Sequence, residues 1–444
     1  MKKIGLLIIV LLSLAACNPN KTPTGKWENI FVDESIIASD GYSYLDPFNT
    51  VMYVRYFVED SKPDEKEKVQ QIYTEEVVKL HKLFDRHYTY YVDDKNKELG
   101  LITNVNRINA SYGKDTSLII DEQLFDVIKL GIEYTKISQG KFNILVGTLS
   151  SFWEEIFNDY ENSYDYEEID PKFVPENNEK MLNITACIPT YEEIDQVLVL
   201  NEEEHSIKFN SIVRLDAQSN NLCANKAYQP SITLGGIGKG YATKVIVDKL
   251  AGQGYKNGFL LSGGSSISAL GPSFLENGQR VTVADPRSTF YEDKVAFEIS
   301  LKKKFDISTS GNYTTGKSYR FIDFENEEIV YRHHILNPCT GLPSNYHRSV
   351  TVYSETVDAG TMDAISTILV NMTIEEGVAF QKSMKEKGVN FEVVWVDQEG
   401  LDIKINCQAD SWCPTYPSKL TVASTSNFNK TLKVTEGVKL NYVS

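Results

Sequence analysis

Six consecutive residues, Gly235-Gly236-Ile237-Gly238-Lys239-Gly240, set four glycines around one lysine directly after the strand-compatible Ile232-Thr233-Leu234. Glycine lets the backbone turn through positive φ and lets a ligand come close to the main chain. Lys239 adds a positive charge just ahead of the helix-like stretch 241–250. These features suit a phosphate group held by backbone N–H groups at a helix start. Neither common nucleotide motif fits. Gly240 stands where a Walker loop needs Ser or Thr, and the Rossmann glycine spacing fails as well.

A second set of residues could hold a cation. Asp363 and Thr367 are four apart, so a helix would carry both on one face. A carboxylate and a hydroxyl are oxygen ligands, which suits magnesium with water or phosphate oxygens completing the shell. His334 lies just before the Asn337-Pro338 turn and could move a proton near neutral pH. Ser262-Gly263-Gly264-Ser265 and Ser308-Thr309-Ser310-Gly311 read as further turns offering hydroxyls and a close backbone approach. Taken singly, each feature also has a plain structural reading as a loop, a turn histidine or a helix-surface coincidence.

Such residues need elements to position them. Residues 50–58 are rich in β-branched and aromatic types and predict a strand. Apolar residues recur at three- and four-residue steps through 63–87 (Val69, Ile72, Tyr73, Val77, Leu80, Phe84) and again through 121–138, predicting two helices. Beyond Ile232, strand-like runs at 258–261, 281–283 and 349–353 mix with glycine turns and helical stretches, and 363–372 reads as a buried helix. Strands mixed with helices without regular β-α-β alternation predict an α+β fold. Residues 154–220 begin crowded with Asp, Glu, Asn and Tyr and keep no dominant period, so they read as an acidic insertion within one domain.

The N-terminus carries an address. Lys2 and Lys3 precede an apolar stretch, 4–16, too short to span a bilayer. It ends in Leu14-Ala15-Ala16-Cys17, which looks like a bacterial lipobox whose cysteine becomes the lipidated N-terminus. The expected layout is a signal peptide over 1–16, an anchor and polar tether over 17–45, and a domain over 46–430. The protein is thus expected to be lipid-anchored at the cell membrane, facing outside the cytoplasm. A formal net charge of −16 argues against a nucleic-acid partner. The later cysteines, Cys187, Cys223, Cys339, Cys407 and Cys413, have no zinc spacing, and Cys407 with Cys413 could form a disulfide in an exported chain.

The motifs in their order resemble the ApbE-type flavin transferases (FAD:protein FMN transferases), commonly bacterial lipoproteins. The resemblance runs from about Phe48 to Met372 on T-L-G-G-I-G-K-G at 233–240, S-G-G at 262–264, T-S-G-N-Y at 309–313, H-I-L-N-P-C-T-G at 334–341 and M-D-A-I-S-T at 362–367. N-R-I-N at 106–109 and G-K-F-N at 140–143, followed by Leu149 and Trp153, add weaker support. It implies an α+β catalytic domain that uses FAD as substrate with Mg²⁺ as cofactor. The implied reaction moves the FMN half of FAD onto a Thr or Ser hydroxyl of an exported acceptor flavoprotein, at a D-x-x-[ST]-G-A-[ST] type site, and releases AMP. That acceptor pattern does not occur in this chain.

Carried over by resemblance, Lys239 is the FAD-binding lysine, and the Gly236 carbonyl with Asp363 and Thr367 holds the metal. His334 stands beside the pyrophosphate, where it could act on the acceptor hydroxyl. Phe48, Tyr90, Lys141, Phe142, Asn143, Thr233 and Ile335 fall at or near cofactor-contact positions. The sequence departs from the family pattern at Thr233, Asn143 and Asn337, where the family usually has Asp, and at Ser265, where it usually has an acidic or amide residue. Two alternatives stay open at this point: a relative that binds or hydrolyses FAD without transfer, and a solute-binding lipoprotein.

Overall fold

A computed structural model describes residues 23–33, 47–93, 95–162, 177–286, 294–312, 318–323, 328–399, 419–425, 432–434 and 439–443. Its centre is a nine-stranded sheet built from β1 (Gly25–Ile30), β2 (Met52–Glu59), β3 (Gly258–Ser262), β4 (Ser266–Ala269), β5 (Asp306–Gly311), β6 (Ser349–Ser354), β7 (Glu392–Glu399), β8 (Lys419–Thr425) and β9 (Lys439–Val443). The strands lie side by side in chain order. Neighbours pair antiparallel from β1 to β8, and only the last pair, β8 with β9, is parallel. Helices enter as insertions between consecutive strands, the α+β arrangement expected from the mixed pattern.

The helices used below are α1 (Glu65–Phe84), α2 (Glu122–Ile137), α3 (Gly147–Asn162), α4 (Glu179–Ala186), α5 (Gly238–Gly252), α6 (Ala359–Val370) and α7 (Ile374–Glu386). One face of the sheet carries Met52, Val54, Leu260, Val350, Val352 and Trp395 and joins one core with α1, α2, α5 and α6. α1 buries Val69, Tyr73, Val77, Leu80 and Phe84, the stripe its periodicity predicts. The opposite face carries Ile307, Val394, Val396 and Val422. These pack against a three-stranded sheet whose middle strand is Val295–Leu301. Each fully buried aliphatic side chain contributes roughly 1.5–3 kcal/mol, so both interfaces are strong.

The structure adds to the sequence reading at three places. First, Gly25–Ile30 lies inside the predicted tether over 17–45, yet it pairs along β2 as the sheet's edge strand. Its inward signal is short: Trp27 meets Phe57, Phe259 and Phe274, and Ile30 is buried. Second, the 154–220 insertion, read as keeping no dominant period, carries regular elements. α3 runs through its start, α4 packs Met181 and Ile184 on Trp153, and Leu198–Asn201 pairs with Ser206–Phe209 beside Ser117–Ile119. Third, Cys187 and Cys223 form a disulfide. Cys17, Cys407 and Cys413 lie outside the described residues. Among the described residues no helix is long and apolar enough to cross a membrane.

Candidate active site

The glycine-lysine run is not preceded by a strand. Residues 232–234 are irregular, with Thr233 N–H donating to Ile144 O at 2.8 Å, and the chain turns at 235–237 into α5. Two glycines there are needed for close approach. A Cβ on Gly236 would sit 3.0 Å from the Phe142 ring and 3.2 Å from the Thr367 methyl. A Cβ on Gly240 would overlap the Ala359 carbonyl and the Asp363 Cβ, so glycine lets α5 and α6 touch. That contact explains why the Walker-type hydroxyl is missing at this position.

α6 begins with Asp358 as its cap, Oδ1 accepting from Gly360 N at 3.0 Å and Thr361 N at 3.1 Å. Its next turns carry Asp363, which is 3 % exposed. Asp363 Oδ2 accepts from the Gly240 N–H at 2.9 Å, and Oδ1 accepts from Ser308 Oγ at 3.3 Å. The sequence aims the α5 N-terminus at a phosphate. In the fold the Gly240 amide is given to a carboxylate of α6, a placement the helix dipole also favours. One turn on, Thr367 Oγ1 donates to Asp363 O at 3.1 Å or to Gly236 O at 3.3 Å. Gly236 O, Thr367 Oγ1 and the Asp363 side chain lie where α5 and α6 face each other: Thr367 Oγ1 is 3.3 Å from Gly236 O, and the Asp363 carboxylate is held by Gly240 N–H and Ser308. The donor set of the trio is a carbonyl, a carboxylate and a hydroxyl, all oxygen, which fits a hard cation such as Mg²⁺. Lys239 Nζ reaches back to Gly235 O at 3.3 Å on the outer side of the same turn.

Two other predicted segments arrive through Asn371, at the end of α6. Its Nδ2 donates to Lys141 O at 3.0 Å and to Leu336 O at 3.1 Å. This residue ties the 140–143 and 334–341 segments to the helix carrying Asp363 and Thr367, and the sequence reading missed it. An asparagine just past a buried helix was its only signal. Lys141 extends its Nζ to Glu376 at 3.3 Å, and Phe142 is buried against Gly236. Asn143 points inward: it donates to Pro189 O at 2.8 Å and accepts from Leu145 N at 2.8 Å, holding its own loop.

The adjacent histidines divide their roles. His333 is fully buried, with Nδ1 accepting from Ile335 N at 3.2 Å and Nε2 on Ser344 O; burial pushes its pKa down to about 3. His334 is exposed and Ile335 buried. The 337–341 turn is closed by Asn337 Oδ1 accepting from Cys339 N at 3.0 Å and pinned by Trp153 Nε1 donating to Gly341 O at 2.8 Å.

Phe48 lies at a strained, left-handed φ of 59°, its N–H donating to His81 Nδ1 at 3.2 Å and its ring against Phe84. Phe84 also meets Tyr241 of α5, so Phe48 reaches the α5 end of the site. Tyr90 is only 3 % exposed and donates to Asp85 Oδ2; its ring neighbours are His81 and Lys82. His81 lies between the Tyr90 ring and that of Phe48. Ser308 and Ser310 also correct the sequence reading: they sit on β5, not in a turn.

The ApbE family model matches residues 49–391. A FAD:protein FMN transferase of Vibrio cholerae serotype O1 is 25 % identical over 291 residues, 63 % of this chain and 73 % of that protein. A FAD:protein FMN transferase of Buchnera aphidicola is 25 % identical over 281 residues, covering 62 % of this chain and 67 % of that protein. Among solved structures, the ApbE protein of Thermotoga maritima superposes with a TM-score of 0.55 at 22 % identity, over 84 % of this chain and 94 % of its own. The flavin transferase ApbE of Vibrio cholerae gives a TM-score of 0.56 at 17 % identity, over 89 % and 98 % respectively.

Proposed function

This chain belongs to the ApbE family, and from that premise we propose that it is a FAD:protein FMN transferase that modifies a Thr or Ser hydroxyl of an exported protein. The observation that supports the reading is the placement of Thr367 Oγ1 at 3.3 Å from Gly236 O, with the Asp363 carboxylate on the Gly240 N–H and Lys239 on the same turn at the start of α5. A magnesium ion held by those three oxygens would supply positive charge opposite the pyrophosphate of FAD.

The chain's own residues do the rest. Lys239 adds a second positive charge at the turn and draws the pyrophosphate to the site in a protein that is acidic overall. His334, exposed where its neighbour is sealed, accepts the proton of the incoming hydroxyl. The acceptor oxygen then forms a bond to the phosphorus of the FMN half. The P–O–P bond breaks, and AMP leaves with the bonding electron pair. The half-buried ring of Phe48 offers apolar surface to the flavin end, and Phe142, buried against Gly236, backs the turn. The Cys187–Cys223 disulfide supports an oxidising compartment, in keeping with the Cys17 lipobox and an anchor outside the cytoplasm.

The test is incubation of the full-length protein with FAD, Mg²⁺ and a peptide bearing D-x-x-[ST]-G-A-[ST]. A fluorescent peptide heavier by one FMN unit, with AMP released in equal amount, is the expected result. FAD split without a peptide adduct would overturn transfer in favour of hydrolysis.

A further inference from the structure

Behind the proposed ligands runs a chain of buried hydroxyls to which the reading above gives no role. Ser308 is fully buried on β5, and its Oγ lies 3.3 Å from Asp363 Oδ1 and 3.2 Å from Ser366 Oγ. Ser366, also fully buried, donates to the Asp363 carbonyl at 3.0 Å and lies 2.8 Å from Ser310 Oγ. Ser310 Oγ in turn lies 3.4 Å from Thr367 Oγ1. The hydroxyls therefore form a line from the carboxylate of Asp363 to the hydroxyl of Thr367.

Each hydroxyl has one proton, so the protons can be assigned. Ser366 spends its proton on the Asp363 carbonyl and must accept at its oxygen. Ser310 has two acceptors to choose from, and Ser366 at 2.8 Å is much nearer than Thr367 at 3.4 Å. With Ser366 taking that proton, the lone pairs of Thr367 stay uncovered. Thr367 has two carbonyls within reach of its own proton, Asp363 O at 3.1 Å and Gly236 O at 3.3 Å, and either choice leaves its lone pairs uncovered. Ser308 is then left to donate to Asp363 Oδ1, while Gly240 N–H holds Oδ2. The carboxylate is thus fixed by one donor on each oxygen and keeps further lone pairs for a cation.

We propose that Ser308, Ser310 and Ser366 are positioning residues that set the proton directions around Asp363 and Thr367, so that both present lone pairs to a divalent cation. The inference rests on the metal reading of that pair. Partners of this kind behind metal ligands typically change affinity by about 10–100-fold when removed.

The experiment measures Mn²⁺ binding to the full-length protein with FAD present, from the spectrum of free Mn²⁺ in electron paramagnetic resonance. It compares Ser366→Val with Ser366→Thr, and Ser308→Val with Ser308→Thr. Within each pair the shape is the same and only the hydroxyl differs, so packing costs cancel. The Val variants should bind Mn²⁺ about 10–100-fold more weakly, and the Thr variants close to wild type. Equal, wild-type affinity within each folded pair would overturn the relay alone. If the buried Val variants do not fold, Ser310→Ala at its half-buried position decides: severalfold weaker binding supports the relay and unchanged binding overturns it. Absence of Mn²⁺ binding by the wild type would overturn the metal reading and the relay together.

Discussion

The strand β5 has two unlike faces. Ile307 points to the sealed side of the sheet, 1 % exposed, among Val394, Val396 and Phe297. Asp306, Ser308 and Ser310 point to the helices and meet Ser268, Asp363 and Ser366. Both faces are covered, so exposure does not separate them. What separates them is that Ile307 gains from burial whereas the Asp306–Ser308–Ser310 row must be compensated for it; Thr309, on the Ile307 side, is compensated by the Thr351 hydroxyl at 2.9 Å. Burying a hydroxyl or carboxylate costs free energy unless a partner is supplied, whereas burying isoleucine is favourable throughout. A fold that places a polar row under α6 gives up stability there, and the row ends at the residues with chemistry. The sealed face has no such residue and reads as support.

The largest test of that contrast acts on the polar face. Asp363→Ala should lower flavin transfer by a factor on the order of 10³, the scale for loss of one charge-stabilising element in an active site. Because the change empties a small volume beside Gly240, the variant should still fold, as judged by circular dichroism. Normal turnover by Asp363→Ala would make the polar row structural only.

The next test acts on the sealed face. Ile307→Ala removes buried methyl groups between Ile267 and Tyr353, its cross-strand neighbours. It should cost about 3 kcal/mol in urea unfolding, within the usual range for such truncations, and leave the FAD affinity of the folded fraction unchanged. A stable Ile307→Ala with impaired binding would reverse the assignment of the two faces.

These two faces were unequally legible in the sequence. The site was announced by glycines and one lysine within a few positions, because a tight turn beside a ligand constrains residue type locally. α1 and α2 were legible for the same reason: a helix writes its buried stripe every three or four residues. Contacts between distant segments leave no such local mark. Residue spacing alone does not bring Gly236 to Thr367, which only the family resemblance paired, and nothing in the sequence joins Cys187 to Cys223 or turns Asn143 toward Pro189. The Ser-Thr-Ser alternation of β5 also misleads, since hydroxyl residues with a following glycine look like a turn when the partner helix is unknown. β1 was hidden by its length, six residues at a sheet edge, and by Lys26 and Glu28 on the same face as buried Ile30.

The smallest predicted effect is the most direct measure of what the polar row costs. Asp306 is buried at the start of β5, accepting from Ser268 Oγ, and burial pushes its pKa up to about 6. An unfolded aspartate titrates near 3.9. Between these values the native state keeps a proton that the unfolded state has lost, so stability falls as pH rises from about 4 through about 6 and then levels. Asp306→Asn keeps the shape and offers Ser268 an acceptor, but never ionises. It should unfold at higher urea than wild type at pH 7, by about 1–2 kcal/mol after allowing for a weaker hydrogen bond to a neutral acceptor. At pH 4 the gap should nearly close, because folded wild type is then neutral at that position and the unfolded chain is only about half ionised. A constant difference from pH 4 to pH 7 would mean that Asp306 carries its charge in the fold. The polar face would then be compensated within itself, and its position beside the site would no longer be evidence of stability given up for chemistry.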